Sequence, residues 1–250
     1  MLRLTRVGAK LLPYNPQAMT SPSLTIVIPV HNETGFVTRA VERLDSDLSG
    51  LDFVLYLVEN GSADGTAAEA EALASRFDWL RVLRLEAADY GAALREGFRR
   101  ADTEWMIAFD IDYFSRRFLD EVIERADEAD IILASKRDPE TDDRRGLVRR
   151  LGTRVFNLLL RGLFRSKVTD THGMKAVNRK VLEDVLPQVK STEDLFDTEL
   201  VLRAERAGYR IAEVPAVVEE LRPARSSYLK RVPRTLLGLL RLRRLLASKQ

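Results

Sequence analysis

The sequence predicts an α/β protein with a Rossmann-like, mostly parallel central sheet and flanking helices. Three observations predict it. Apolar, β-rich runs alternate with amphipathic segments of helical period through the first half of the chain, the pattern of parallel strands joined by crossover helices. Three of those runs lead directly into polar clusters, and in open α/β sheets ligands bind at the carboxyl ends of the strands. The chain has 250 residues, 45% of them hydrophobic, enough to bury a sizeable core.

Taken in order, residues 1–22 read as a loose leader, because Arg3, Arg6 and Lys10 interrupt MLRLTRVGAKLLPYNPQ and no continuous apolar stretch of a signal peptide forms. Residues 23–222 read as the main domain and 223–250 as a basic helical tail. Strands are expected at 24-LTIVIPV-30, 53-FVLYLV-58, 80-LRVLRL-85, 105-WMIAF-109, 131-IILAS-135 and 211-IAEVPAVV-218. Helices are expected over about 35–48, 64–76, 90–101, 115–127, 145–163, 178–186 and 194–207. Asp64, Gly65 and Thr66 read as a turn capping the second of these. The tail helix is expected to start at Pro233, since proline is tolerated in a first helical turn.

Composition removes several classes of function. With no cysteine there is no disulfide framework, thiolate zinc site or iron-sulfur cluster, and a cytoplasmic setting is the default. No run of about 18 apolar residues is present, so no segment is expected to span a bilayer. The net charge of +2 conceals an asymmetry: nine Lys or Arg and no acid follow Glu220, and residues 144–169 carry eight more basic residues without an acid. Beyond Pro233, Arg234, Arg241 and Arg244 fall near one helical face and Leu236, Leu239, Leu240 and Leu246 on another. Such a helix suits the headgroup region of an anionic membrane as a peripheral contact, or else docks on the sheet or on a partner. No nucleic-acid partner is expected, and the oligomeric state is not legible.

The stretch 105-WMIAFDIDYFS-115 runs five mostly apolar residues into Asp110 and Asp112. Carboxylates at the end of an apolar strand call for a positive or hydrogen-bonding partner. Two of them flanking one residue can reach a divalent cation and the sugar hydroxyls beside it; magnesium and manganese take oxygen ligands, and one or two carboxylates with a diphosphate suffice.

The stretches VIPVHNE (27–33), VENGSADGT (58–66), YGAALREGFRRA (90–101), FDID (109–112), DTHGMKAV (170–177) and FDTEL (196–200) occur in that order. Together they resemble the family-2 glycosyltransferases of the GT-A fold, in particular the branch that makes dolichol- or polyprenyl-phosphate sugars, over roughly residues 24–222. The resemblance implies that Pro29, His31 and Glu33 line a nucleotide pocket, with the His31 ring able to stack on a base. Glu59 and Asn60 stand where the family usually has two aspartates, and Glu59 would accept a base N–H. Gly91 would lie in the segment passing beneath the donor. Asp112 would be the main ligand of Mg2+ or Mn2+, with Asp110 on donor hydroxyls or the metal shell.

For the acceptor, Lys136, Arg137, Arg149 and Arg150 resemble the family's phosphate-binding positions, and arginine's planar fork matches phosphate oxygens. His172 would hydrogen-bond a diphosphate, in a motif one residue shorter than usual. Asp197 falls on the family's later acid: a general base for a hydroxyl acceptor, or an orienting group for a phosphate that arrives already ionised. The implied activity is inverting transfer of a sugar from a nucleotide diphosphate sugar to a polyprenyl (dolichyl) phosphate at the cytoplasmic membrane face. The alternatives are a small soluble or glycan hydroxyl acceptor, and a non-catalytic nucleotide-sugar or membrane-binding protein on the same fold.

Overall fold

The computed structural model describes residues 4–7, 10–13, 23–135, 147–169, 171–215 and 228–247. Within the segment expected to be a loose leader, β1 (Leu4–Val7) and β2 (Lys10–Pro13) pair antiparallel as a separate hairpin. The main sheet contains β3 (Leu24–Val30), β4 (Phe53–Asn60), β5 (Leu80–Leu85), β6 (Trp105–Ala108), β7 (Ile131–Ser135), β8 (Lys175–Asn178) and β9 (Ile211–Pro215) in the spatial order β5-β4-β3-β6-β8-β7-β9. All neighbouring pairs are parallel except those of β8, which runs antiparallel between β6 and β7. β8 begins within DTHGMKAV and ends one residue after it, and four residues are too few to show a strand's period in the sequence.

The helices are α1 (Val37–Asp47), α2 (Thr66–Ala74), α3 (Tyr90–Arg100), α4 (Arg116–Glu124), α5 (Leu147–Phe164), α6 (Arg179–Val185), α7 (Phe196–Arg206) and α8 (Tyr228–Ala247). Polar residues in extended backbone start three of them: the side chains of Asp89, Ser115 and Asn178 accept from the amides of Ala92, Phe118 and Lys180. The expected turn before α2 is present, with Asp64 accepting from the amide and hydroxyl of Thr66. The Thr66 hydroxyl is the main cause that holds the Asp64 carboxyl down to about 2, against a weaker upward push from burial.

Alternation along the strands builds a three-layer core. Ile26, Ile28, Trp105 and Ile107 face the layer of α1, α2 and α4, whereas Val27, Met106 and Ala108 face α3, α6 and α7. Gly97 lets α3 lie directly on the sheet, because a Cβ there would run into the Val27 side chain.

The tail helix starts earlier than expected and packs in a third cluster. α8 begins at Tyr228, so Pro233 is its sixth residue and the bond that its missing N–H would make to Leu229 is lost. Leu239 and Leu246, expected on one apolar face, are buried with Leu242 against Leu160 and Phe164 of α5 and Leu202 of α7, the docked one of the two arrangements expected. Leu240 is exposed, as are Leu237 and Leu245. The tail is therefore a docked helix that keeps a second row of leucines outside.

Candidate functional site

Because β3, β4 and β6 are parallel, their carboxyl ends share one rim, and the amino end of the antiparallel β8 joins it. On the β3 turn, Ala63 N–H donates to Asn32 Oδ1 (2.9 Å), which turns the Asn32 amide nitrogen toward His31 Nε2 (2.9 Å). His31 Nε2 thus accepts, and Nδ1 donates to the Asn60 carbonyl (2.8 Å). This network assigns a neutral ring with its proton on Nδ1 and holds it at the exposed edge of the rim. Asn32 adopts the left-handed region at φ 53°, a conformation asparagine tolerates. Pro29 is buried within β3, and the Glu33 carbonyl accepts from the amides of Phe36 and Val37 at the start of α1.

β4 extends two residues beyond the expected end, so Glu59 and Asn60 are its last residues and both are buried. Glu59 Oε1 accepts from Ser62 N–H (2.6 Å), and Arg84 lies 3.8 Å from Oε2. Asn60 Oδ1 accepts from Asp89 N–H (2.8 Å), and Asp89 Oδ1 in turn accepts from Ala92 N–H and from Glu193 N–H, 2.8 Å away on the turn leading into α7. Asp89 therefore ties β4, α3 and α7 together.

Gly91 is where α3 meets that turn: a Cβ would come within 2.7 Å of both Glu193 N and Phe196 Cβ. Its close approach in this structure is to the Thr192–Glu193 backbone and the Phe196 side chain, a packing reason that stands beside the expected donor role.

Asp110 and Asp112 follow β6. Asp110 is exposed and Asp112 half-buried, since β6 ends at Ala108, one residue before the expected end, and the chain turns through an Asp110–Tyr113 bridge. Tyr90 Oη donates to Asp110 Oδ1 (3.2 Å), placing a phenol beside the carboxylate that composition alone did not mark. No group of three or more His, Asp or Glu side chains suited to a metal occurs among the described residues. A pair of carboxylates fits magnesium or manganese, which complete their shells with water and phosphate oxygens, and does not fit the three or four protein ligands of zinc.

Asp197 stands in the first turn of α7 and is buried. Its Oδ2 lies 2.9 Å from Nζ of the equally buried Lys175, which also donates to the Gly173 carbonyl (2.9 Å). Next to it, the Thr171 and Thr198 hydroxyls are hydrogen-bonded at 2.9 Å. His172 is exposed, with Phe156 of α5 edge-on to its ring at a centroid distance of 4.8 Å. Lys136 and Arg137 fall outside the described residues; Arg149 and Arg150 lie in the first turn of α5, where the side chains are outside them too. A cavity of about 450 Å3 at the other end of α3, lined by Arg95, Phe98, Arg99, Met106 and Arg179 among others, includes none of the rim residues.

Comparison with known proteins identifies the family. The model of the family Glycosyl transferase family 2 matches residues 25–186. The chain belongs to glycosyl transferase family 2. This family-2 chain is 31% identical over 211 residues to Glycosyltransferase AglD of Haloferax volcanii, a match covering 80% of this chain and 34% of that protein. It thus spans about a third of AglD. It is 25% identical over 204 residues to the Dolichyl-phosphate hexose transferase of the same organism, covering 80% of this chain and 85% of that one. Among solved structures, it is similar to mannosyltransferase PcManGT from Pyrobaculum calidifontis in complex with GDP-Man and Mn2+ (TM-score 0.63, 20% identity, 92% of this chain and 65% of that one). Glucosyl-3-phosphoglycerate synthase from Mycobacterium tuberculosis, with Mn2+, UDP and glucosyl-3-phosphoglycerate, gives a TM-score of 0.63 at 18% identity over 89% of this chain and 80% of that one. The fold is the GT-A fold expected from the sequence.

Proposed function

We propose that this chain transfers a sugar, with inversion, from a nucleoside diphosphate sugar to a polyprenyl (dolichyl) phosphate at the cytoplasmic face of a membrane. The observation that carries the proposal is the Asp110–Asp112 pair at the end of β6, hydrogen-bonded by Tyr90, on a rim shared with His31 in a family-2 chain. The likeness to a dolichyl-phosphate hexose transferase over most of both chains supports the acceptor class.

In this reading the neutral His31 ring offers its face to the base, with both nitrogens already engaged by Asn32 and Asn60. Asp112 and Asp110 would hold Mg2+ or Mn2+, which when bound neutralises the charge of the departing diphosphate. A phosphate oxygen of the acceptor forms the new bond to the anomeric carbon as the bond to the nucleoside diphosphate breaks on the opposite face. Because that oxygen arrives ionised, no base is required, and Lys136, Arg137, Arg149 and Arg150 would orient the acceptor phosphate. A thermal-shift panel of GDP, UDP, GDP-mannose and UDP-N-acetylglucosamine tests the donor side: one nucleotide series should raise Tm with Mn2+ and lose that effect in chelator. Equal melting temperatures across the panel would contradict it.

The membrane contact belongs to the same proposal. No helix among the described residues is long and apolar enough to cross a membrane. The exposed large hydrophobic residues among those described, Val155, Leu158, Leu237, Leu240 and Leu245, all belong to α5 and α8, two helices without an acid. Exposed Arg161, Arg241, Arg243 and Arg244 share those helices, which suits an anionic surface. Leu237→Glu/Leu240→Glu is expected to weaken binding to phosphatidylglycerol vesicles by roughly 10- to 100-fold in flotation, because it removes two insertable side chains and adds repelled charge. The fold should survive, since both leucines are exposed. Unchanged flotation would remove the membrane from the proposal.

A further inference from the structure

Two buried side-chain polar atoms among the described residues have no hydrogen-bond partner: Trp105 Nε1 and Asp197 Oδ1. Trp105 belongs to the apolar core cluster on the α1, α2 and α4 side of the sheet. Asp197 is different in kind, because a buried carboxylate oxygen without a donor is far more costly than a lone indole N–H. Its other oxygen is held by Lys175 at 2.9 Å, with side-chain exposures of 6% for Asp197 and 1% for Lys175. A pair this buried is poor value for stability alone, since apolar residues of similar size often serve as well or better.

The pair's place in the fold supplies another reason for it. Lys175 is opposite Ala108 in the β6–β8 ladder, two residues before Asp110, so it sits at the root of the carboxylate turn. Asp197 opens α7 immediately after Phe196, which packs at Gly91 in the first turn of α3, whose Tyr90 donates to Asp110. The two residues therefore lie together on the α3 and α7 side of the strand end that leads to the proposed donor site. The Lys175 ammonium is itself fixed by the Gly173 carbonyl, and one carboxylate oxygen of Asp197 is left without a donor.

We infer that Lys175 is a positioning residue: it neutralises and aims Asp197 so that Oδ1 accepts a hydrogen bond from a hydroxyl of the donor sugar. This rests on the nucleotide-sugar reading above. It also assigns Asp197 to the donor's sugar, since a phosphate acceptor has no hydroxyl that needs a base. The nucleoside diphosphate alone makes no such contact, which gives the inference a readout independent of turnover.

The test compares affinities for GDP against GDP-mannose, and for UDP against UDP-N-acetylglucosamine, all with Mn2+, in wild type and variants. Lys175→Met alone leaves a buried carboxylate uncompensated and is expected to lower Tm by about 6–20 °C. The double variant Lys175→Met/Asp197→Leu removes both charges and is expected to recover most of that loss. It should bind the nucleoside diphosphate as wild type does, while its affinity for the matching nucleotide sugar, relative to the diphosphate, falls by about 10- to 100-fold, the worth of a hydrogen bond to a charged group. A stable double variant with the wild-type ratio would overturn the inference and leave the pair a structural one. Wild type that binds neither diphosphate would instead overturn the donor reading on which the inference stands.

Discussion

Asp112→Asn is expected to lower sugar transfer by at least about 10³-fold while leaving Tm within a few degrees of wild type. The residue lies half-buried on the outward turn after β6, outside the apolar clusters of the core, so its replacement removes charge without opening a cavity. In the proposed mechanism the loss is a carboxylate from a cation shell built on only two, and the charge stabilisation at stake is several kcal/mol, at about 1.4 kcal/mol per tenfold in rate. Steady-state transfer assays with a parallel melt separate the two effects. Wild-type transfer by the variant, or by wild type in excess chelator, would contradict the role.

The second large effect concerns stability. Glu199 is fully buried, accepts from the amides of Lys190 (3.0 Å) and Ser191 (2.6 Å), and pairs with Arg203, which is itself only 9% exposed. Burial pushes the Glu199 carboxyl up, but hydrogen bonds from Ser191, Arg203 and Lys190 outweigh it and hold it below the usual range. Glu199→Gln leaves the Arg203 guanidinium without its counter-charge and should cost about 3–5 kcal/mol, a Tm fall of about 6–20 °C. The depressed carboxyl also fixes the sign of the pH effect. Its contribution is fully present above the unfolded carboxylate range, about 4.3, and is lost as pH falls through the lower folded value. Wild type should therefore lose more Tm than the variant on acidification from pH 6 to pH 3. Equal melting at pH 7, or parallel acid profiles, would show that the Glu199 network is dispensable.

How much of this was legible in the sequence depends on how local each signal is. β3, β4, β5, β6 and β7 are visible because each is a run of apolar and β-branched residues bounded by turn residues. β8 is not, because KAVN is short and begins with a lysine that only the fold reveals as buried. The Lys175–Asp197 pair joins residues 22 positions apart through an antiparallel insertion, and no spacing rule finds it. Asp110 and Asp112 were visible as a pair at a strand end, but their exposure follows from where β6 stops, a boundary that apolarity alone put one residue late. In α8 the leucines divide between a buried row and an exposed one, a division set by α5 and α7 rather than by helical period. His31 was readable as a ring near a base site, whereas its tautomer depends on Asn32 and Asn60.

The most direct measurement is transfer of labelled sugar from GDP-mannose and from UDP-N-acetylglucosamine to a polyprenyl phosphate in phosphatidylglycerol vesicles, with Mn2+ and with chelator. The proposed function predicts a metal-dependent, lipid-extractable sugar phosphate from one of these donors. A donor that binds and is turned over only onto soluble hydroxyl acceptors, with no lipid-linked product, would contradict it.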